Sequence, residues 1–200
     1  MAFAGFDEKK FNIDFLHFLI ANKNWLLGAK QAVKGQTLNK ESIGNAKIII
    51  PPIEAQEEFA SIYNQADKSE FVGCKSQFIE MFGNPLSSIQ KNELKKLGDC
   101  CQINPRRPSV SISDSDLVSF VPMPAVNEDG YIDGATNEEY GKVKKGFTYF
   151  ENNDVLFAKI TPCMENGKGA IAEALTNGIG MGSTEFHVPV SYTHLRAHET

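Results

Sequence analysis

Apolar residues Phe11, Phe15, Leu16, Phe18, Leu19, Trp25, Leu26 and Leu27 recur at near-helical spacing, interrupted by the polar run Asn22, Lys23 and Asn24. That spacing predicts a helix over residues 13–21 and a second short helical stretch over 25–32, ended by Gly35. Residues 37–43 are polar and turn-rich. The β-branched run 46–50 that follows predicts a short strand stopped by Pro51. Pro52 suits the first turn of another helix, where its missing N–H would have had no intrahelical partner.

Residues 53–82 hold no proline, one glycine and the strong helix formers Glu54, Ala55, Gln56, Glu57 and Glu58. Phe59, Ile62, Ala66, Phe78 and Met81 fall on one side, so the pattern predicts one helix of roughly 45 Å. The seam falters at Ser69, Glu70 and Gly73, where glycine costs about 1 kcal/mol against alanine and a kink is expected. Phe59, Ile62, Ala66 and Phe78 are read as a seam for packing a partner helix. Gly83, Asn84 and Pro85 stop the helix. From Leu94 onward the pattern shortens to β-like runs between Gly, Asn, Asp and Pro turns, at 99–103, 118–121, 154–160, 169–174 and 182–188. A second domain therefore starts near residue 90. Phe147, Tyr149, Phe150 and Phe157 alternate around these runs and are read as core.

With 200 residues and 42% hydrophobic content the chain can bury a sizeable core. No apolar run reaches the roughly 18 residues of a membrane span, and residues 1–10 lack the basic-then-apolar order of a secretory signal. A cytoplasmic protein away from any membrane is the expectation. The net charge of −5 runs against a nucleic-acid partner, yet it is unevenly spread. Residues 1–50 carry seven Lys against four acids, whereas residues 99–140 carry two Arg against eight acids. An acidic loop region can coexist with a basic ligand-facing surface. Cys74, Cys100, Cys101 and Cys163 form no CxxC pair and are read as free thiols, with no metal and no cofactor implied.

The last eleven residues, VSYTHLRAHET from Val190 to Thr200, look like the in-frame translation of a transposase-type sequencing adapter and are set aside from fold reasoning. The i, i+4 pair His194 and His198 lies within them, so it is not read as a metal site.

The segments from Gly35 to Gln56, Leu94 to Asp99, Asp154 to Lys168 and Gly180 to Phe186 together resemble the DNA-specificity subunits of type I restriction-modification systems. The run Gly35-Gln36-Thr37-Leu38 through to Ile50-Pro51-Pro52-Ile53-Glu54-Ala55-Gln56 is similar to the junction where a target-recognition domain ends and a long helix begins. Leu94-Lys95-Lys96-Leu97-Gly98-Asp99 resembles the entry into the next recognition domain. Asp154-Val155-Leu156-Phe157-Ala158-Lys159-Ile160-Thr161-Pro162-Cys163-Met164-Glu165-Asn166-Gly167-Lys168 and Gly180-Met181-Gly182-Ser183-Thr184-Glu185-Phe186 look like the recognition-domain pattern itself.

The resemblance implies an α+β chain in four parts. Residues 1–50 would be the tail of a first, α/β target-recognition domain, 51–88 a long spacer helix, 89–189 the first part of a second, mostly β recognition domain, and 190–200 the adapter-derived tail. Such subunits usually carry two recognition domains and two antiparallel helices, so this chain is expected not to bind DNA competently alone. The implied partners are double-stranded DNA, read as a bipartite site, the methylase subunits docked on the helices and, through them, the restriction motor subunit. Catalysis would belong to those partners, consistent with the lack of a methylase loop or a glycine-rich phosphate cradle here.

Base readout needs donors at groove edges, with hydroxyls, cations and amides on phosphates. Arg106 and Arg107, held between Pro105 and Pro108, suit guanine contacts, or form a solvated turn. Lys159, Thr161, Asn166 and Lys168 frame a loop able to meet a phosphate or base edge, or simply a turn between strands. Ser183 and Thr184 stand in the same two-way position. Two rival functions stay open. Asp154, Glu165 and Lys168 faintly resemble a metal-dependent nuclease, with a spacing one residue too long. The helix could alternatively make the chain a protein-interaction module that touches no DNA.

Overall fold

The computed structural model describes residues 11–22, 38–65, 71–83 and 94–191. The first helix, α1 (Ile13–Asn22), is capped by Asn12, whose Oδ1 accepts from the Phe15 N–H at 3.0 Å. A five-residue helix, α2 (Lys40–Gly44), starts in the segment read as a turn, because the Asn39 side chain accepts from the Ser42 N–H at 2.8 Å. Strand β1 (Lys47–Ile49) follows, then helix α3 (Ile53–Gln65), whose first carbonyl acceptor is Pro52. Helix α4 (Phe71–Phe82) ends at Gly83, which takes φ +86° and donates its N–H to the Ile79 carbonyl at 2.8 Å.

The single long helix expected over 53–82 is corrected to these two. On one straight helix Phe59 and Phe78 would stand roughly 28 Å apart, whereas their ring centroids lie 5.5 Å apart in an edge-to-face contact. Phe82 also reaches back to Phe59, at 5.9 Å. Burial of both aromatic faces on each other explains the hairpin, since each ring pair adds about 0.5–1.5 kcal/mol beyond its area. Phe15 and Phe18 of α1 complete the cluster, with Phe15 and Phe59 fully buried. Gln56 ties the assembly at one end: its Oε1 accepts from the Asn12 N–H at 2.9 Å and its Nε2 donates to the Pro51 carbonyl at 2.8 Å.

The remaining elements are short. Strand β2 (Leu94–Lys96), helix α5 (Leu97–Cys100) and strand β3 (Cys101–Ile103) run on directly, so the first two residues of the strand expected over 99–103 are helical. Next come β4 (Leu117–Val121), β5 (Thr136–Glu139), helix α6 (Tyr140–Val143), β6 (Thr148–Glu151) and β7 (Val155–Ala158). Strands β8 (Gly169–Ile171), β9 (Ile179–Gly182), β10 (Phe186–His187) and β11 (Pro189–Ser191) complete the order. The architecture is α+β.

Among the described residues four sheets form, in orders β1-β2, β10-β7-β8, β11-β3 and β5-β4-β9-β6, and the β4–β9 pairing is the only parallel one. Gly180 sits opposite Phe150 in the β6–β9 ladder, and any Cβ there would collide with the Phe150 ring. Phe150 and Phe157 are fully buried, as the alternation implies, whereas Phe147 is 39% exposed over Phe120.

The largest core crosses the expected domain boundaries. It unites the rings of α1, α3 and α4 with Ile48 and Ile49 of β1, Leu97 and Ile103, and Phe157 of β7. Strand β1 pairs with β2 across the two helices, Ile48 opposite Lys95. His187 joins the same regions: its Nε2 lies 2.8 Å from the Leu38 carbonyl and its Nδ1 2.8 Å from Asn104 Nδ2. The Asn104 Oδ1 accepts from the Val188 N–H, which fixes the amide and therefore the imidazole tautomer. The tail set aside from residue 190 begins inside β11, where buried Val190 stands opposite Gln102. The helix expected over 25–32, Ala66, the polar break at 69–70 and residues 192–200 lie outside the described residues.

Candidate nucleic-acid interface

The eight polar positions singled out from the sequence form two groups. The first surrounds the end of β7. The Lys159 N–H donates to the Glu185 carbonyl at 2.9 Å, and Lys159 Nζ lies 4.0 Å from Glu185 Oε2. This brings the turn carrying Ser183 and Thr184 beside the start of the 161–168 loop. Much of the chemistry there serves the turns themselves. Ser183 Oγ accepts from the Glu185 N–H at 3.2 Å, and Asn166 Nδ2 donates to Glu128 Oε1 at 2.7 Å. Lys168 closes the loop through backbone bonds to Cys163 and Ala158. Gly167, at φ +69°, is pressed on the Ala21 carbonyl oxygen, which any side chain would strike. Thr161 and Lys168 are half-buried and Thr184 is exposed. This loop is thus shaped by α1 and the neighbouring turn, and its cation Lys159 faces a carboxylate.

The second group is Arg106 and Arg107, both exposed. Arg107 is anchored: its Nη1 donates to the Lys144 carbonyl at 2.7 Å, and its guanidinium carbon lies 5.5 Å from the Tyr140 ring centroid and 5.8 Å from that of Tyr149. The contact joins the Pro-flanked arginine loop to residues 142–147, KVKKGF, which sequence reasoning passed over. Lys142 pairs with Glu139 at 3.2 Å, Lys144 reaches both Asp114 oxygens at 2.7 and 2.8 Å, and Lys145 is exposed. The Arg107 bond thus brings the arginine loop against the segment that carries Lys142, Lys144, Lys145 and Phe147.

An open groove of 660 Å³ borders the arginine loop and shares Tyr149 with it. Ser109, Ser111 and Asn177 offer polar groups there, but Asp116 and Glu151 line it too, which disfavours an anion inside it. Tyr149 donates its hydroxyl to Glu151 at 2.7 Å.

The nuclease-like residues are not assembled into a site. Asp154 is buried and its Oδ2 accepts from the Glu151 N–H at 2.8 Å, a turn-closing role, while Glu165 is exposed. Among the described residues no three acidic, His or Cys side chains come close enough to hold a metal ion. Cys74, Cys100 and Cys101 are buried free thiols, and burial, then neighbouring Cys100, pushes the Cys101 thiol far above its ordinary pKa. Among the described residues no helix is long and apolar enough to cross a membrane. Of the helix positions, Phe59 and Phe78 are covered by this chain's own rings and Ile62 is half-buried.

Residues 3–78 match the family model described as the type I restriction modification DNA specificity domain. Over these residues the chain is similar to the DNA specificity domains of that family. It is 43% identical over 101 residues to the type I restriction enzyme EcoEI specificity subunit of Escherichia coli, covering 48% of this chain and 16% of that relative. It is also 48% identical over 85 residues to the EcoAI specificity subunit of the same organism, covering 40% of this chain and 14% of the relative. The chain therefore aligns with only about a sixth of the length of these subunits. No solved structure matches. The matched segment contains α1 through most of α4, with the Gln56 tie and most of the aromatic helical core.

Proposed function

We propose that this chain is part of the sequence-reading subunit of a type I restriction-modification complex, a non-catalytic cytoplasmic protein that recognises a bipartite double-stranded DNA site. Methylase subunits dock on its helical part and bring the restriction motor subunit with them, and those partners carry out the bond-making and bond-breaking. The match of residues 3–78 to the DNA specificity domain carries this reading. Arg106, Arg107, Lys159, Thr161, Asn166, Lys168, Ser183 and Thr184 are the proposed DNA-facing groups. Arg106, Arg107, Asn166 and Thr184 are the exposed residues among them, while Lys159 and Asn166 also hold the turns that shape the loop.

Methylase contact is proposed for the outer side of the α3–α4 hairpin, where Ile79 is 46% exposed. Phe59 and Phe78, buried between α1, α3 and α4, support that side from within. The complete subunit assembled with its methylase partners is expected to bind one split duplex tightly and to lose affinity steeply between low and high salt, because each phosphate contact releases counterions. Methylome mapping in cells expressing the complex supplies the duplex. Absence of any methylated bipartite sequence would overturn the proposal.

A further inference from the structure

We infer that the arginine loop and the 142–147 turn form a single phosphate-contacting surface, in which Arg107 and Lys144 are positioning residues and Arg106 and Lys145 meet the DNA backbone. This rests on the DNA-reading function proposed above and assigns that function a place on the fold. Three observations carry it.

First, the cations converge from two segments far apart in sequence, through one bond from Arg107 Nη1 to the Lys144 carbonyl. Chain neighbours Arg106 and Lys145 are thereby brought to one stretch of surface, and both are exposed. Second, the surface is stiff. Arg107 lies over Tyr140 and Tyr149, Pro105 and Pro108 restrict the loop on either side, and Lys144 is held by Asp114. Ordering cost is thus met before a ligand arrives. Third, the turn is open: Gly146 has φ +80° and nothing within 4 Å of the position a Cβ would take, so a duplex backbone can approach.

Charge decides against the neighbouring alternatives. The groove beside Tyr149 carries Asp116 and Glu151, and Lys159 in the other candidate group faces Glu185. The arginine–lysine surface keeps Arg106 and Lys145 clear of carboxylate partners among the described residues, within a stretch that is otherwise acidic. Contacts of this kind fix register on the duplex and carry no sequence information directly.

The test uses the complete subunit assembled with methylase partners, a duplex containing the mapped site and one lacking it, over a range of salt. Arg106→Gln with Lys145→Gln is expected to weaken both duplexes alike, by roughly an order of magnitude at low salt. The slope of log affinity against log salt should fall by roughly 2, since each phosphate contact contributes about 0.9. Asp114→Asn, which releases Lys144, is expected to act in the opposite sense, with tighter binding and a steeper slope. Loss confined to the site-bearing duplex would overturn the phosphate assignment in favour of base contact. Unchanged affinity and slope in both variants, with a steep slope in the parent, would overturn this surface and leave the DNA reading standing. A parent complex whose binding is indifferent to salt would overturn the DNA reading itself, and the surface with it.

Discussion

The helical region and the β-rich region of this chain are stabilised by different means. Between Phe11 and Phe82 the core is aromatic: Phe15, Phe18, Phe59, Phe78 and Phe82 touch in nearly every combination, and Gln56 bridges the helix starts from a fully buried position. From Leu94 to Ser191 the strands are two to five residues long, the close packing depends on glycine against ring, and side-chain bonds such as Asn104 to His187 and Asn152 to Leu175 fix the turns. The contrast teaches a division of labour. The family match covers most of the ring-packed frame, while the exposed cations lie on loops of the strand-rich part, where side chains are free to differ without emptying a core.

That contrast can be broken from either side. The largest effect is expected at Phe59, which is fully buried against four other rings and Tyr63. Phe59→Ala should cost about 3–5 kcal/mol by lost transfer and cavity energy, read from denaturant midpoints. It should leave the preferred DNA sequence unchanged in whatever fraction remains folded. A change in sequence preference would put DNA reading inside the frame and erase the division.

A smaller effect is expected in the strand region. Gly180→Ala drives a methyl into the buried Phe150 ring, and overpacking of this kind costs about 1–3 kcal/mol. Phe150→Leu added to Gly180→Ala should recover part of the loss. A Gly180→Ala variant as stable as the parent would show that this half is loosely packed.

The third effect lies at the seam between the regions and depends on pH. Burial, the largest cause, lowers the His187 pKa below its ordinary 6.5, and Lys159 adds to this against the opposing hydrogen bond to Leu38. The neutral ring donates from Nε2 to Leu38 and accepts at Nδ1 from Asn104, so a second ring proton would meet a donor. The unfolded chain therefore takes up the proton first. This contribution to stability is complete above pH 6.5 and is lost as pH falls from there toward the lowered folded value. Thermal midpoints of the parent should fall over that window, and those of His187→Gln should fall less. Parallel curves would exclude His187 as the source.

Much of the frame was legible in the sequence. The spacing of Phe15, Leu16 and Leu19 marks α1, the Pro51–Pro52 pair marks the start of α3, and Gly83 marks the end of α4. The helix hairpin was not legible, because a 3.6-residue seam states that a face is buried without saying by what; Phe78 folding onto Phe59 satisfies it as well as a second chain would. Strand β5, Thr-Asn-Glu-Glu, was missed because an edge strand with mostly exposed side chains carries no apolar alternation. At the site, the Pro-flanked arginines stood out, whereas Lys142, Lys144 and Lys145 did not. The signal was the basic run before Gly146 and Phe147, but its meaning depends on the Arg107 contact with Lys144, across 37 residues of sequence. No local pattern encodes that register.

The most direct measurement of the central claim is competition binding by the assembled subunit and its methylase partners, using a labelled duplex of the mapped bipartite sequence against unlabelled duplexes of matched length. A ratio of roughly 10³ or more between the mapped sequence and a scrambled one at physiological salt is the predicted result. Equal competition by every duplex would contradict it.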